Sequence, residues 1–238
     1  MRRSFVSVTW TPGVDADSTQ ILIQTIEDTL TLLRRHFGRP GQFDPTPVVR
    51  LFGAWVIPTA PHGAVYSDVQ WYVERCLDES GKYLVASRYL ETIRLEPWQS
   101  SSPHLDLALT ELPILDDVTG PHPLVDALGF ARPGLLSLVS THPFLSIKDR
   151  HLRRVAMWQT FAHYFGRLFD VPRVSRQGNV LAHQGGLYCT NTCALRFTDT
   201  PTLALSFGQQ EVSGGVMYCE ACQHDLAAQM TGFHYGMN

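Results

Sequence analysis

Gln159-Thr160-Phe161-Ala162-His163-Tyr164-Phe165-Gly166, followed by Cys189-Thr190-Asn191-Thr192-Cys193 and Cys219-Glu220-Ala221-Cys222, is the part of this 238-residue chain on which the fold turns. Each cysteine pair closes a loop short enough to aim two thiolates at one centre. Two such pairs satisfy the tetrahedral arrangement that zinc takes in closed, structural sites. The first pair has three intervening residues where two is commonest, and the second pair has two. The spacing predicts one structural Zn2+ held by Cys189, Cys193, Cys219 and Cys222. Its binding is expected to be coupled to folding of the last fifty or so residues. Five cysteines in all, four of them clustered, fit metal ligation in a reducing compartment better than a disulfide framework. Cys76, within Trp71–Leu77, reads as a small buried apolar residue on a helix.

Outward from His163, the pattern predicts a long helix over 148–169. Two apolar stripes run along it: Leu152, Val155, Ala162, Phe165 and Phe169, then Met157, Phe161, Tyr164 and Leu168. A helix apolar on two sides is buried, with other elements packed on both faces. Gln159 lies one turn before His163, so the two side chains share a face. A single histidine there is by itself more often a satisfied core residue than a metal ligand. Gly166 inside the helix costs stability and asks for a reason, such as close approach of another backbone. Val171-Pro172 ends the helix, and 173–186 reads as a Gly-, Gln- and Arg-rich loop lying over a cleft.

The chain before the helix supplies β and α elements. Alternation over 4–10 predicts a strand. A helix is expected over 17–37, with Asp17 and Gln20 spaced as a capping box and Gly38-Arg39-Pro40 closing it. Its Ile21, Ile26, Leu30 and Leu33 approximate one face. A strand is expected over 48–55. Helices follow over 67–77, with Ser67 and Gln70 at capping-box spacing, and over 81–95. A polar linker spans 97–103, and 105–109 reads as an apolar strand. Two apolar runs, 127–131 and 135–140, flank Arg132-Pro133-Gly134 and predict a hairpin. Glu111, Asp116 and Asp117 form an acidic group that fits a solvated loop better than a cation site.

Composition narrows the function. The formal net charge is −3, charged residues make up 17% and hydrophobic ones 44%. No basic run favours nucleic acid or an anionic membrane as a partner. No apolar stretch approaches the roughly 18 residues of a membrane span, and the first residues lack the apolar core of a secretory signal. A cytoplasmic protein is expected.

The order of elements over residues 104–228 resembles the archaemetzincins, zinc metallopeptidases of the metzincin clan. The resemblance rests on the strand Leu107–Thr110, the hairpin runs Leu128–Ala131 and Leu138–Thr141, and the long helix. It continues through His163-x-x-Gly166, the Cys189–Cys193 knuckle and the closing Cys219-x-x-Cys222. It implies an α+β fold: a metzincin-like mixed sheet, an active-site-type helix and a C-terminal four-cysteine zinc subdomain. The implied division is 1–172 for the first part and 173–238 for the zinc-bearing part.

The departures from the family pattern are as informative. The family helix carries His-Glu-x-x-His-x-x-Gly, whose histidines hold a catalytic zinc and whose Glu activates its water. Aligned on His163 and Gly166, the first histidine position is Gln159 and the base is Thr160. The third histidine position is Tyr188, and the family's methionine is Leu195. A catalytic zinc needs three good protein ligands. The resemblance therefore implies a pseudopeptidase that keeps the structural zinc, lacks the catalytic one and binds a protein or peptide. The alternative is an active zinc metallopeptidase rebuilt on His163, His183 and Asp170, with Glu111 or Asp170 replacing the base. Tyr188 is expected to fill the vacated ligand space and hydrogen-bond His163.

Overall fold

The computed structural model describes residues 5–38, 46–61 and 63–235, with side chains to residue 231. Strand β1 (Val6–Trp10) leads into helix α1 (Ala16–Phe37), and then come β2 (Val49–Gly53) and α2 (Val69–Cys76). The short β3 (Leu84–Val85) runs directly into α3 (Ala86–Leu95), α4 (Pro97–Ser101) and β4 (Leu105–Thr110). Next come β5 (Ile114–Asp116), β6 (Leu124–Ala127), β7 (Gly129–Arg132) and β8 (Leu136–Ser140). A 3-10 turn (His142–Ser146) precedes the long α5 (Arg150–Leu168). The chain closes with β9 (Val180–His183), β10 (Gly186–Cys189), α6 (Pro201–Gly214) and α7 (Glu220–Tyr235).

The main sheet is mixed, in the order β2-β1-β4-β8-β7, with all pairs parallel except the β7–β8 hairpin. Arg132-Pro133-Gly134 turns that hairpin as the sequence predicts, and Gly134 takes a φ of +77° that favours glycine. Side chains alternate across the sheet. Val6, Val8, Leu105, Leu107, Leu109 and Val139 face α1 and α5 in one core. Ala108, Leu136 and Leu138 join Tyr72, Val73, Cys76, Tyr89 and Ile93 of α2 and α3 in a second. Cys76 is fully buried there, as its apolar neighbours predict.

Helix α5 is enclosed on both sides, as its two apolar stripes require. The sheet and α1 cover one side, and α6 covers the other so closely that a Cβ on Gly208 would lie 2.8 Å from Val155 Cγ1. Cys189, Cys193, Leu195, Tyr218 and Leu226 belong to the same core as Val6 and Phe165.

Several boundaries differ from expectation, each for a local reason. The cap of α1 is Asp15, whose carboxylate accepts from the Ser18 amide at 2.9 Å. Asp17, expected as the cap, is instead paired with Arg150 and Arg154 of α5. Asp68 displaces Ser67 as the cap of α2, accepting from the Trp71 amide at 2.6 Å. The helix expected from residue 81 starts at Ala86, because Leu84 and Val85 pair with Ile114 and Leu115. The linker 97–103 contains α4, begun by Pro97 at its first turn. Ser4, Arg39, Pro40 and Pro45 lie outside the described residues.

Candidate metal centre and the adjacent cleft

The cysteines converge. Cys189 ends β10, Cys193 follows a tight turn, and Cys219 and Cys222 lie at the start of α7. The turn is set by the Cys189 amide donating to Leu195 O at 2.8 Å, and the two knuckles are joined by Ala194 N to Met217 O at 2.9 Å. Tyr218, fully buried between them, donates its hydroxyl to Ala162 O of α5 at 2.7 Å. The four sulfurs lie within 4.8 Å of one another, with Cys189 and Cys219 Sγ 3.6 Å apart. A tetrahedron with Zn–S bonds of about 2.3 Å has edges of about 3.8 Å, so the geometry fits the ion.

The electrostatics fit as well. Hydrogen bonding from Cys193 draws the Cys189 thiol down to about 7, and hydrogen bonding from Cys189 draws Cys219 down. Contact with Cys189 holds Cys193 and Cys222 up in the neutral form. Four crowded thiols do not ionise together without a cation, and a bound divalent ion supplies that charge. Arg176 adds donors: Nη1 is 3.1 Å from Cys222 Sγ, Nη2 is 3.7 Å from Cys189 Sγ, and Asp225 fixes the guanidinium at 3.3 Å. Asn191 Nδ2 is 3.4 Å from Cys219 Sγ. Arg176 had been expected over the cleft with the 173–186 loop. It lies against the sulfurs instead, and residues 180–183 of that loop form a strand paired with β10. No sequence spacing links Arg176 to cysteines 13 to 46 residues away.

The cleft beside the cysteines is built from the same segment. It is a cavity of about 440 Å³ whose wall includes His163, Arg167, Asp170, Tyr188, Phe197 and Asp199. His163 is buried, and its Nδ1 donates to Ala194 O at 3.0 Å. Burial, with Arg167 beside it, lowers its pKa to about 3, so the ring is neutral. Gln159 Nε2 donates to the same Ala194 carbonyl at 3.2 Å and to Thr198 Oγ1 at 3.4 Å. It is fully buried and does not line the cleft. Thr160 is buried beside it and also stays out of the cleft wall.

Tyr188 does approach His163, but not through the expected hydrogen bond. Its ring stacks at 5.9 Å and 17° from the imidazole, is met edge-on by Phe197, and is covered by the Arg167 guanidinium at 5.1 Å. Leu195 packs on Gly166, where an added Cβ would lie 2.7 Å from Leu195 Cδ2. The close approach at this glycine is therefore a side chain, not the backbone that the sequence suggests.

The alternative ligand set is not assembled. Among the described residues, His163, His183 and Asp170 do not bring their ligand atoms together. His183 is an exposed residue of β9 packed edge-on against Phe197 at 4.2 Å, and Asp170 lies beyond the end of α5. Glu111 is bonded to Thr11. Asp116 accepts from the Val118 and Thr119 amides, and Asp117 from Ser87. Glu111 and Asp117 thus tie together segments distant in sequence, and Asp116 is buried at the end of β5 rather than in a solvated loop. The residues on α5 do not fit a catalytic zinc.

A mixed sheet, a long buried helix under it and a four-cysteine knuckle pair packed on that helix define an archaemetzincin-like fold. The structure is similar to the crystal structure of archaemetzincin from Methanopyrus kandleri, with a TM-score of 0.55 over 96% of each chain at 15% sequence identity. No family model and no curated protein matches the chain. No helix among the described residues is long and apolar enough to cross a membrane.

Proposed function

We propose that this chain is a cytoplasmic archaemetzincin-like pseudopeptidase, in which the cysteine cluster holds one structural zinc and the cleft binds a peptide or protein segment without hydrolysing it. The observation that carries this is the Ala194 carbonyl shared by Gln159 and His163. It ties the side chain one turn before His163 into the knuckle, so one histidine alone faces the cleft from that helix. Tyr188 stacks on that histidine, and the helix position from which the family's base would act is Thr160, a buried hydroxyl outside the cleft wall. The cavity persists, which supports a binding role over a purely structural one.

Elemental analysis and a peptide-hydrolysis assay test the proposal together. The expected outcome is a cysteine-bound zinc whose occupancy is unchanged in His163→Ala, and no zinc-dependent cleavage of a broad peptide pool. A zinc equivalent lost on His163→Ala, or turnover that vanishes with that substitution, refutes it.

A further inference from the structure

A second group of ligating side chains lies away from the cysteines and the cleft. Glu96 stands between α3 and α4, His104 just precedes β4, and Asp106 is the second residue of β4. Strand alternation turns Asp106 away from the Leu105–Leu107 side, toward the α2–α3 face. The three are 3%, 4% and 5% exposed. His104 Nε2 lies 3.2 Å from Glu96 Oε1 and 3.4 Å from Asp106 Oδ1, and all three ligand atoms fall within 4.8 Å of one another. A tetrahedral zinc with bonds of about 2.05 Å to nitrogen and oxygen has ligand–ligand edges of about 3.3 Å.

The second polar atom of each residue is already occupied. Tyr72 Oη donates to Glu96 Oε2 at 2.8 Å, and Gln99 Nε2 donates to Asp106 Oδ2 at 2.8 Å. His104 Nδ1 is 2.8 Å from Ser102 O, a contact that assigns the proton to Nδ1 in the neutral ring and leaves the Nε2 lone pair toward the carboxylates. Metal-binding histidines and carboxylates are held by such outer hydrogen bonds. Phe5 stacks on the imidazole at 4.8 Å and 5°, fixing its plane. One atom is left over: Glu96 Oε1 is buried without a hydrogen bond. Without a metal that oxygen has only the charged His104 imidazole, 3.2 Å away and outside hydrogen-bond geometry; a metal ion would displace the Nε2 proton and bind the oxygen directly.

The cluster forms part of the wall of a cavity of about 460 Å³ that is otherwise mainly aromatic and aliphatic, with Phe52, Trp55, Tyr89 and Trp98 among its lining residues and Arg50 at its wall. The cavity reaches solvent past Phe52 and Val56, which are 45% and 61% exposed. Three protein ligands beside an open cavity are the arrangement of a metal site that keeps one position free.

We propose that Glu96, His104 and Asp106 bind a divalent first-row transition-metal ion through Glu96 Oε1, His104 Nε2 and Asp106 Oδ1, with the remaining coordination open to the aromatic cavity. The site is independent of both the cysteine cluster and His163.

Cobalt titration of the full chain separates the sites. One equivalent of zinc is added first, and the four thiolates take it. Cobalt is then titrated in, expecting one further equivalent bound with weak visible d–d bands and no thiolate charge-transfer band. His104→Gln and Asp106→Asn are expected to weaken that binding at least 100-fold without altering cysteine occupancy. Tyr72→Phe and Gln99→Ala keep all three ligands, remove one outer hydrogen bond each, and are expected to weaken it about 10–100-fold. They decide the matter if a ligand variant does not fold. Wild-type protein that takes no further cobalt, or equal affinity across wild type and variants, overturns the proposal and leaves a closed ion-pair cluster. A further equivalent lost on His163→Ala instead overturns both this site and the pseudopeptidase.

Discussion

The cysteine cluster and the adjacent cleft are built from one segment, residues 188–198, and that segment treats its two sides differently. On one side Cys189 and Cys193 aim their sulfurs outward from a tight turn to meet Cys219 and Cys222. On the other, Tyr188 stacks on His163, Leu195 fills the space over Gly166, and the Ala194 carbonyl takes hydrogen bonds from both Gln159 and His163. The same backbone thus presents a set of thiols able to hold a metal on one side and satisfies the Gln159 and His163 side chains internally on the other. If a metal holds the knuckles, their rigidity depends on it, and the packing beside the cleft should then depend on the cysteine site more than the reverse.

The largest expected effect tests that dependence. Structural zinc in small domains contributes apparent binding free energies of about 10–16 kcal/mol at neutral pH, comparable with the whole stability of an ordinary domain of about 5–15 kcal/mol. Cys219→Ser, or chelation of the wild type, is expected to lower the melting temperature by about 10 °C or more. Hydrogen exchange should show lost protection in β10 and α7, followed by the α5 turn that holds Gln159 and His163. An unchanged melting temperature, or protection lost at the cleft while the knuckles stay protected, reverses the dependence.

What was legible in the sequence follows the same division. The convergence of the paired cysteines was legible from spacing alone, because a short loop leaves the sulfurs little choice of direction. The two stripes of α5 declared its double burial for a similarly local reason. The cap of α1 was misassigned by two residues because Asp15 and Asp17 are equally able caps, and the choice was made by Arg150 and Arg154 more than 130 positions away. The place of Arg176 against the sulfurs and the Glu96–His104–Asp106 cluster were not legible for the same reason: loops bring them to their partners, with no periodicity to announce it. One signal was present, since Asp106 alternates with leucines in a strand that is buried throughout.

The next effect, smaller and pH-dependent, uses His104 as a control on His163. Both are 4% exposed. Burial lowers both pKa values, but no carboxylate meets His163, which falls to about 3, whereas Asp106 and Glu96 overcome burial at His104 and raise it to about 10. A depressed folded value makes the His163 contribution complete above pH 6.5 and lost as the pH falls toward 3. A raised one makes the His104 contribution complete below pH 6.5 and lost as the pH rises toward 10. Each is worth about 1.4 kcal/mol per pH unit inside its window. Denaturant melts on chain carrying one equivalent of zinc should therefore show opposite slopes when wild type is compared with His163→Gln from pH 6.5 to 4.5 and with His104→Gln from pH 7 to 9. Slopes of the same sign would mean that one of the two histidines does not have the surroundings described.

The smallest expected effect probes the contact that packs the knuckle segment on α5. Alanine is about 1 kcal/mol better than glycine inside a helix, but a Cβ on Gly166 meets Leu195 Cδ2 at 2.7 Å, and Leu195 is fully buried. Overpacking of that kind costs about 1–3 kcal/mol unless the neighbour can move. Gly166→Ala alone should thus fall between neutral and about 2 kcal/mol destabilising. Leu195→Ala alone should cost about 2–5 kcal/mol through the cavity it leaves. In the double variant the new methyl group enters that cavity and the helix gain is recovered, so the pair should be more stable than the sum of its parts by about 1 kcal/mol or more. Strict additivity in a double-mutant cycle would show that Leu195 does not bear on Gly166, and the glycine would then need another cause.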